Sequence, residues 1–143
     1  MSTLYVESSA LLRVALEGDA ALRRQMATHG RLVTSSLTWV EADRALRRAR
    51  TVERLDGARL ERAQRWIDAF LANCAELVLE SSVLSRARQG FPVEPVRTLD
   101  ALHLASILAW DQAIDRLTIA SCDARVRDNA HALGFNLLPR ESI

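Results

Sequence analysis

Short apolar segments alternate along the chain with longer segments in which apolar residues recur every three or four positions. Short apolar runs bounded by turn residues are typical of buried strands. The predicted strands are residues 3–6 (TLYV), 31–34 (RLVT), 75–79 (AELVL), 117–120 (LTIA) and 136–138.

The segments between these strands have the periodicity of amphipathic helices. Ser8 and Ser9 are candidate N-caps of the first helix, which Gly18 interrupts. The other predicted helices are residues 19–29, a long helix from about Thr38 into an Arg-rich stretch, and residues 56–72, 81–89, 98–110 and 123–133. This alternation predicts an α/β fold with a mostly parallel central sheet flanked by helices, formed by a single domain of residues 1–143.

Composition excludes several classes of protein. The 143 residues are 49% hydrophobic and 26% charged, as in ordinary globular domains. Cys74 and Cys122 are far apart and form no CxxC pair, so the sequence predicts neither a disulfide framework nor a zinc site. The N-terminal segment carries Glu7 and lacks the basic start of a signal peptide, and no apolar run approaches the roughly 18 residues of a membrane span. We expect a cytoplasmic protein without a membrane partner.

Net charge does not by itself indicate nucleic-acid binding, because it is only +1. All 19 basic residues are arginine, whose planar guanidinium suits phosphate. The densest basic stretch contains Arg44, Arg47, Arg48, Arg50 and Arg54. A solvated helix face and an RNA-binding face both remain open for this stretch.

Four carboxylates fall where a parallel sheet places its ligands. Glu7 directly follows the first strand, and Glu41 lies in the first turn of the helix after the second. Asp100 lies in the first turn of the 98–110 helix, and Asp123 follows strand 117–120. Ligands of open α/β sheets bind outside the carboxyl ends of the strands, so these acids are expected to converge. Clustered carboxylates repel unless a cation neutralises them, and an all-oxygen cluster favours Mg²⁺ or Mn²⁺ and phosphodiester hydrolysis.

Helix capping is the alternative interpretation of the same acids. Residues 38–41 (TWVE) fit a capping box, in which Glu41 would bond back to the Thr38 amide. Asp100 has the position of an ordinary helix-start residue, and Ser121 and Asp123 are both candidate N-caps. Glu7 is the hardest to explain in this way, because a residue that caps a helix after a strand is usually Asp, Ser or Thr.

Four sequence segments, in the order in which they occur, give a further indication of the family to which the chain is similar. They are residues 4–11 (LYVESSAL), 36–41 (SLTWVE), 97–105 (RTLDALHLA), and 121–123 (SCD) followed by 132–134 (ALG). In this order, over nearly the whole chain, they resemble the PIN-domain nucleases and, within them, the VapC-like toxins of type II toxin–antitoxin pairs. Residues 97–105 are the most specific of the four segments.

The resemblance implies a PIN fold and Mg²⁺- or Mn²⁺-dependent endonucleolytic cleavage of RNA. Ser9 and Ser121 would support the metal ligands by hydrogen bonding. Partners implied in the same way are an RNA substrate, a cognate antitoxin that wraps the crevice and uses the helices at 38–72, and a second copy of the chain in a homodimer. The implied catalytic residues and metal ligands, binding directly or through water, are Glu7, Glu41, Asp100 and Asp123.

Glu7 departs from the family, which usually has aspartate at this position. The longer side chain displaces the carboxylate, and Mg²⁺ demands near-ideal octahedral geometry. One alternative is therefore a catalytically weakened PIN-fold binding or regulatory protein, and another is a DNA-directed nuclease of the wider family. From the sequence, Glu7→Asp is expected to retain or raise metal-dependent cleavage.

Two further residues are candidate substrate contacts. His103 lies one turn after Asp100 and could touch substrate or orient that acid, although a histidine on an apolar helix is more often a core residue. Arg97 precedes the same helix and could meet a phosphate or serve as a surface charge.

Overall fold

A five-stranded parallel sheet forms the centre of the fold. The computed structural model describes residues 2–140. The strands are β1 (Thr3–Val6), β2 (Arg31–Ser35), β3 (Ala75–Leu77), β4 (Leu117–Ala120) and β5 (Asn136–Leu138). Their order is β3-β2-β1-β4-β5, and every neighbouring pair is parallel. The predicted α/β class is confirmed, and β1 occupies the middle of the sheet.

In the part of the chain that the structure describes, seven helices connect and cover the strands. They are α1 (Ser8–Glu17), α2 (Ala20–Ala27), α3 (Ser36–Thr51), α4 (Gly57–Ala72), α5 (Ser81–Ala87), α6 (Thr98–Ala113) and α7 (Ala124–Ala132). Each corresponds to a helix predicted from the apolar spacing. None of those described has the length and apolar character needed to span a membrane.

Apolar clusters lie on both faces of the sheet. Alternate residues of β1 point to opposite faces, so Leu4 and Val6 join one cluster and Tyr5 joins the other. The first cluster packs against α1, α3 and α4, and the second against α6 and α7. Helices cover both faces, as a parallel sheet requires.

Several predicted helix starts differ from the structure by one or two residues, and the corrections to the first helix and to the helix after β2 affect the site. Helix α1 begins at Ser8, and Glu7 has the N-cap position without a side-chain capping bond, so neither Ser8 nor Ser9 is the N-cap. Helix α3 begins at Ser36, since Ser35 is its N-cap and accepts a hydrogen bond from the Leu37 amide at 3.1 Å. The capping box that would end at Glu41 is therefore not formed.

The loop before α6 is held against α7 by a buried asparagine. Asn129 donates to the carbonyl oxygens of Val93 and Arg125 and accepts from the Val93 amide, at 2.8–2.9 Å. These bonds fix the segment that leads into the first turn of α6, where Asp100 lies.

Candidate metal centre

The candidate centre lies at the carboxyl end of β1. The registers of β1 and β4 pair Val6 with Ala120, and the Glu7 amide donates to the Ala120 carbonyl at 2.9 Å. The residues that follow both strands therefore leave the sheet side by side. Because β1 is central, Glu7 also faces the start of α3 on its other side.

The carboxylate of Glu7 is almost fully enclosed, with 5% of the residue exposed. Ser8 Oγ donates to its Oε1 at 2.9 Å, and Ser121 Oγ donates to its Oε2 at 2.8 Å. Ser9 Oγ also donates to Oε2. Three hydroxyls from two separate segments thus fix both oxygens of Glu7, and two of these serines are the residues that the resemblance implied as supports.

The supporting serines are themselves fixed by backbone amides. Ser9 Oγ accepts from the Cys122 amide at 2.8 Å, and Ser121 Oγ accepts from the Asp123 amide at 3.1 Å. The segment after β4 therefore contributes both a hydroxyl donor and the amides that orient the hydroxyls. This network connects α1 to the segment that carries Asp123.

Glu41 joins Glu7 through a shared donor. Ser8 Oγ lies 3.0 Å from Glu41 Oε1 as well as 2.9 Å from Glu7 Oε1, so its single proton lies between two carboxylates. His103 Nε2 hydrogen-bonds to Glu41 Oε1 and lies 3.8 Å from Glu7 Oε1. Within residues 2–140, Glu7, Glu41 and His103 form a group whose potential ligand atoms all lie within 4.8 Å of one another.

His103 is buried, with 1% exposed, and both of its ring nitrogens face protein partners. Nε2 meets Glu41, and Nδ1 lies 2.8 Å from the hydroxyl of the fully buried Tyr5. Burial, and next the charge of Glu7, raise the pKa of Tyr5 well above its ordinary value. The hydrogen bond from His103 goes to Glu41, and no bond from the imidazole to Asp100 is observed in the described structure. Tyr5 and Ser8 are parts of the site that the sequence interpretation did not include.

Asp100 presents a buried carboxylate oxygen to the same region. The residue is 8% exposed, and its Oδ2 has no hydrogen-bond partner within the described part of the chain. Burial raises the pKa of Asp100, the charge of Asp123 raises it next, and that of Glu7 contributes further. The Arg97 backbone and the Arg125 charge act in the opposite direction. The pKa of Asp100 is raised overall, so the protein compensates the charge of its ionised form only in part.

Asp123 has the capping role that was one of its two interpretations. Its Oδ1 accepts from the amides of Arg125 and Val126, at 2.9 and 3.2 Å, at the N-terminus of α7. Its charge still reaches Asp100, as the raised pKa of that acid indicates. Neither Asp100 nor Asp123 belongs to the 4.8 Å group, so the four acids are arranged as a tight pair and two flanking members.

Arg97 lies at the edge of this region. It has the N-cap position of α6 but makes no side-chain capping bond, and its side chain is exposed. The arginines of the basic stretch on α3, among them Arg44 and Arg47, are also exposed. Both observations leave these side chains accessible to a polyanion.

The carboxylate set is suited to a hard divalent cation. Carboxylate oxygens are the protein ligands that Mg²⁺ and Mn²⁺ prefer, and a buried carboxylate oxygen without a donor is an open ligand position. The charges of Glu7 and Asp123, which raise the pKa of Asp100, would be offset by such an ion.

Comparison with known proteins finds a relative among curated proteins and several neighbours among solved structures. Ribonuclease VapC35 of Mycobacterium tuberculosis, in two strains, is 32% identical over 136 residues, which cover 92% of this chain and 93% of the relative. No protein-family model matches the chain.

Two solved structures share the fold. A toxin–antitoxin complex from Klebsiella pneumoniae superposes with a TM-score of 0.65 at 16% identity, over 99% of this chain and 100% of that chain. VapBC2 from Rickettsia felis, in a structure with a DNA fragment from its promoter, superposes with a TM-score of 0.63 at 10% identity. The superposition covers 94% of this chain and 96% of that chain. At these identities the likeness concerns the fold alone.

Proposed function

We propose that this chain, which belongs to the VapC family of PIN-domain ribonucleases, is a metal-dependent endoribonuclease and the toxin of a toxin–antitoxin pair. The observation that supports this function most directly is the convergence of acids at one end of the sheet. Glu7 and Glu41 share the Ser8 proton, and the buried Asp100 Oδ2 has no hydrogen-bond donor among residues 2–140.

The proposed metal ligands, directly or through water, are Glu7, Glu41, Asp100 and Asp123. A Mg²⁺ or Mn²⁺ ion bound by them would activate a water molecule and neutralise charge that develops on a phosphodiester.

The chain's own residues orient this centre. The hydroxyls of Ser8, Ser9 and Ser121 hold the Glu7 carboxylate in one position. The exposed Arg97, at the start of the helix that carries Asp100, is placed to contact a phosphate of the substrate.

An antitoxin partner is part of the same proposal. A groove of about 490 Å³ lies between α3 and α4, and both apolar and charged side chains line it, among them Leu46, Leu60, Arg47 and Glu61. This groove lies within the 38–72 segment that the resemblance assigned to the antitoxin. We also propose that the chain forms a homodimer, as the resemblance implies.

Cleavage assays on the antitoxin-free chain test the function. RNA and DNA of mixed sequence are incubated with Mg²⁺, Mn²⁺ or EDTA, using the parent chain, Asp100→Asn and Asp123→Asn. Asp128→Asn is the matched control, because Asp128 is an exposed acid on α7 outside the site. We expect EDTA-sensitive cleavage of RNA that is lost in the two site variants and kept in the control.

Other outcomes would contradict this function in different ways. Cleavage of DNA in place of RNA would identify a DNA-directed nuclease. A parent chain that binds no metal and cleaves neither substrate would favour the binding or regulatory protein that the departure at Glu7 suggested.

A further inference from the structure

Tyr5, His103 and Glu41 form a hydrogen-bonded chain through the interior of the molecule. These residues belong to β1, α6 and α3, so their hydrogen bonds link the central strand to helices on opposite faces of the sheet. Tyr5 is fully buried and His103 is 1% exposed, whereas the Glu41 side chain is 20% exposed at the candidate centre. The hydrogen bonds thus lead from the buried core to Glu41, a proposed metal ligand.

The two hydrogen-bond partners of His103 indicate which of its ring nitrogens carries the proton when the imidazole is neutral. A carboxylate can only accept hydrogen bonds, so Nε2, which contacts Glu41, must carry the proton. In a neutral imidazole Nδ1 is then an acceptor, and the Tyr5 hydroxyl at 2.8 Å is its donor. The opposite tautomer would direct the Nε2 lone pair at the carboxylates of Glu41 and Glu7.

This direction of donation differs from that of a metal-bound histidine. A ligating imidazole gives its lone pair to the ion and donates from the other ring nitrogen. In the neutral ring, the nitrogen that faces the acids would donate to Glu41, and the remote nitrogen would accept from Tyr5. His103 therefore supports a carboxylate, although its Nε2 lies 3.8 Å from Glu7 Oε1 and within the group of potential ligand atoms.

We propose that Tyr5 and His103 are a positioning pair for the metal centre, in which Tyr5 holds His103 in its Nε2–H tautomer and His103 holds the Glu41 carboxylate towards Glu7. This inference rests on the proposed function for the role of Glu41, but the tautomer itself is a property of the metal-free chain. Asp100 lies three residues before His103 on the same face of α6, so one helix carries both an acid of the centre and the partner of another.

Nitrogen-15 NMR of the labelled, metal-free chain measures the tautomer directly. We expect His103 to be protonated at Nε2 alone, and Tyr5→Phe to change the His103 nitrogen shifts because the donor to Nδ1 is lost. A ring protonated at Nδ1, or at both nitrogens, would overturn the proposal. This measurement needs neither metal nor RNA, so it is independent of the proposed function.

Mn²⁺ titration measures the effect on the centre. Supporting partners of ligands typically contribute about 10- to 100-fold in metal affinity, so we expect His103→Leu to lower Mn²⁺ affinity by about tenfold or more. His103→Gln, whose amide can still donate to Glu41, should recover most of that loss, and the exposed His131→Leu should have no effect. Equal affinity in the parent and His103→Leu would overturn the positioning role.

Electron paramagnetic resonance of the Mn²⁺-loaded chain separates positioning from ligation. We expect no nitrogen coupling that depends on His103, whereas a coupling lost in His103→Gln would identify the imidazole as a ligand and overturn the inference. If the parent chain bound no Mn²⁺ at all, the proposed metal function and the role of the pair in it would both fail. The NMR result would then still stand as a measurement of the tautomer.

Discussion

Replacing Glu7 with aspartate tests how closely its carboxylate is fitted to the surrounding hydroxyls. The substitution keeps the charge and withdraws the carboxylate by one carbon–carbon bond, about 1.5 Å. The backbone cannot follow easily, because Val6 is fully buried and the Glu7 amide is bonded to Ala120. The bonds from Ser8 and Ser121, now 2.9 and 2.8 Å, cannot both survive such a shift.

The size of the effect follows from the bonds that are lost. A hydrogen bond to a charged group contributes about 1.5–3 kcal/mol, so the loss of one gives about 2 kcal/mol of destabilisation. For a chain of 143 residues, an unfolding entropy of about 2.1 cal/mol/K per residue converts this to a decrease in Tm of roughly 7 °C. If the same 2 kcal/mol is lost from the positioning of the centre, cleavage falls by about thirtyfold.

Calorimetry in EDTA and RNA cleavage in Mn²⁺ measure the two effects separately. Glu17→Asp is the matched control, since Glu17 lies on α1 with 72% of its side chain exposed and should change neither. This prediction reverses the expectation from the sequence, which was that Glu7→Asp retains or raises cleavage. A variant as stable and as active as the parent would refute the argument that the three hydroxyls are fitted to glutamate.

Three other substitutions test separate parts of the structure. Because the pKa of Asp100 is raised, the folded chain binds the proton of this carboxyl more tightly than the unfolded chain does, and the free energy of unfolding falls as pH rises above about 4. Asp100→Asn should therefore be more stable than the metal-free parent at about pH 7. Urea titrations should show that this difference in stability disappears below about pH 3.9. Asn129→Asp removes two hydrogen bonds that the side chain donates to backbone carbonyls, and it should lower the free energy of unfolding by about 1–3 kcal/mol. An unchanged urea midpoint would contradict the role of Asn129 in holding the loop before α6. Gly134 has a φ of 91°, so Gly134→Ala should lower the free energy of unfolding by about 1–2 kcal/mol. Gly57 lies in open space at the start of α4, and Gly57→Ala should change that free energy little. Equal thermal stabilities of the two variants would refute the backbone argument.

The sequence predicted the elements of the fold because their signals are local. Strand residues 3–6, 117–120 and 136–138 agree with the structure, since buried parallel strands are short apolar runs. The start of α3 was misplaced because Ser35, Ser36 and Thr38 are all good capping residues, and their local chemistry does not distinguish them. Contacts in the folded chain distinguish these residues. Thr38 is buried, and its hydroxyl accepts a hydrogen bond from Thr34 at 2.8 Å, which fits a position inside the helix and not at its cap.

The site was less accessible to sequence reasoning, because its bonds join distant segments. The acids could be placed at strand ends, but the sharing of the Ser8 proton depends on how α1 meets α3. For His103, burial on an apolar helix and a role at the site were treated as alternatives, and the structure shows a buried residue that is also hydrogen-bonded to Glu41. Tyr5 gave a signal that could have been used, since it lies two residues before Glu7, and Glu7 continues the extended backbone of β1, so both side chains point to the same face.

The position of β4 in the sheet has a consequence for the order of events during synthesis. Strand β4 lies beside the central strand β1 although it is formed by residues 117–120 of 143, and it brings Ser121 and Asp123 to an acid at residue 7. A growing chain on the ribosome therefore contains Glu7, Glu41 and Asp100 before it can assemble them into one centre, because the pairing of β1 with β4 must wait until β4 has been made. Under the proposed function, translation itself delays toxicity: a nascent or prematurely terminated chain that lacks β4 carries three of the four acids without a complete centre, and ribonuclease activity begins only after β4 and Asp123 have emerged.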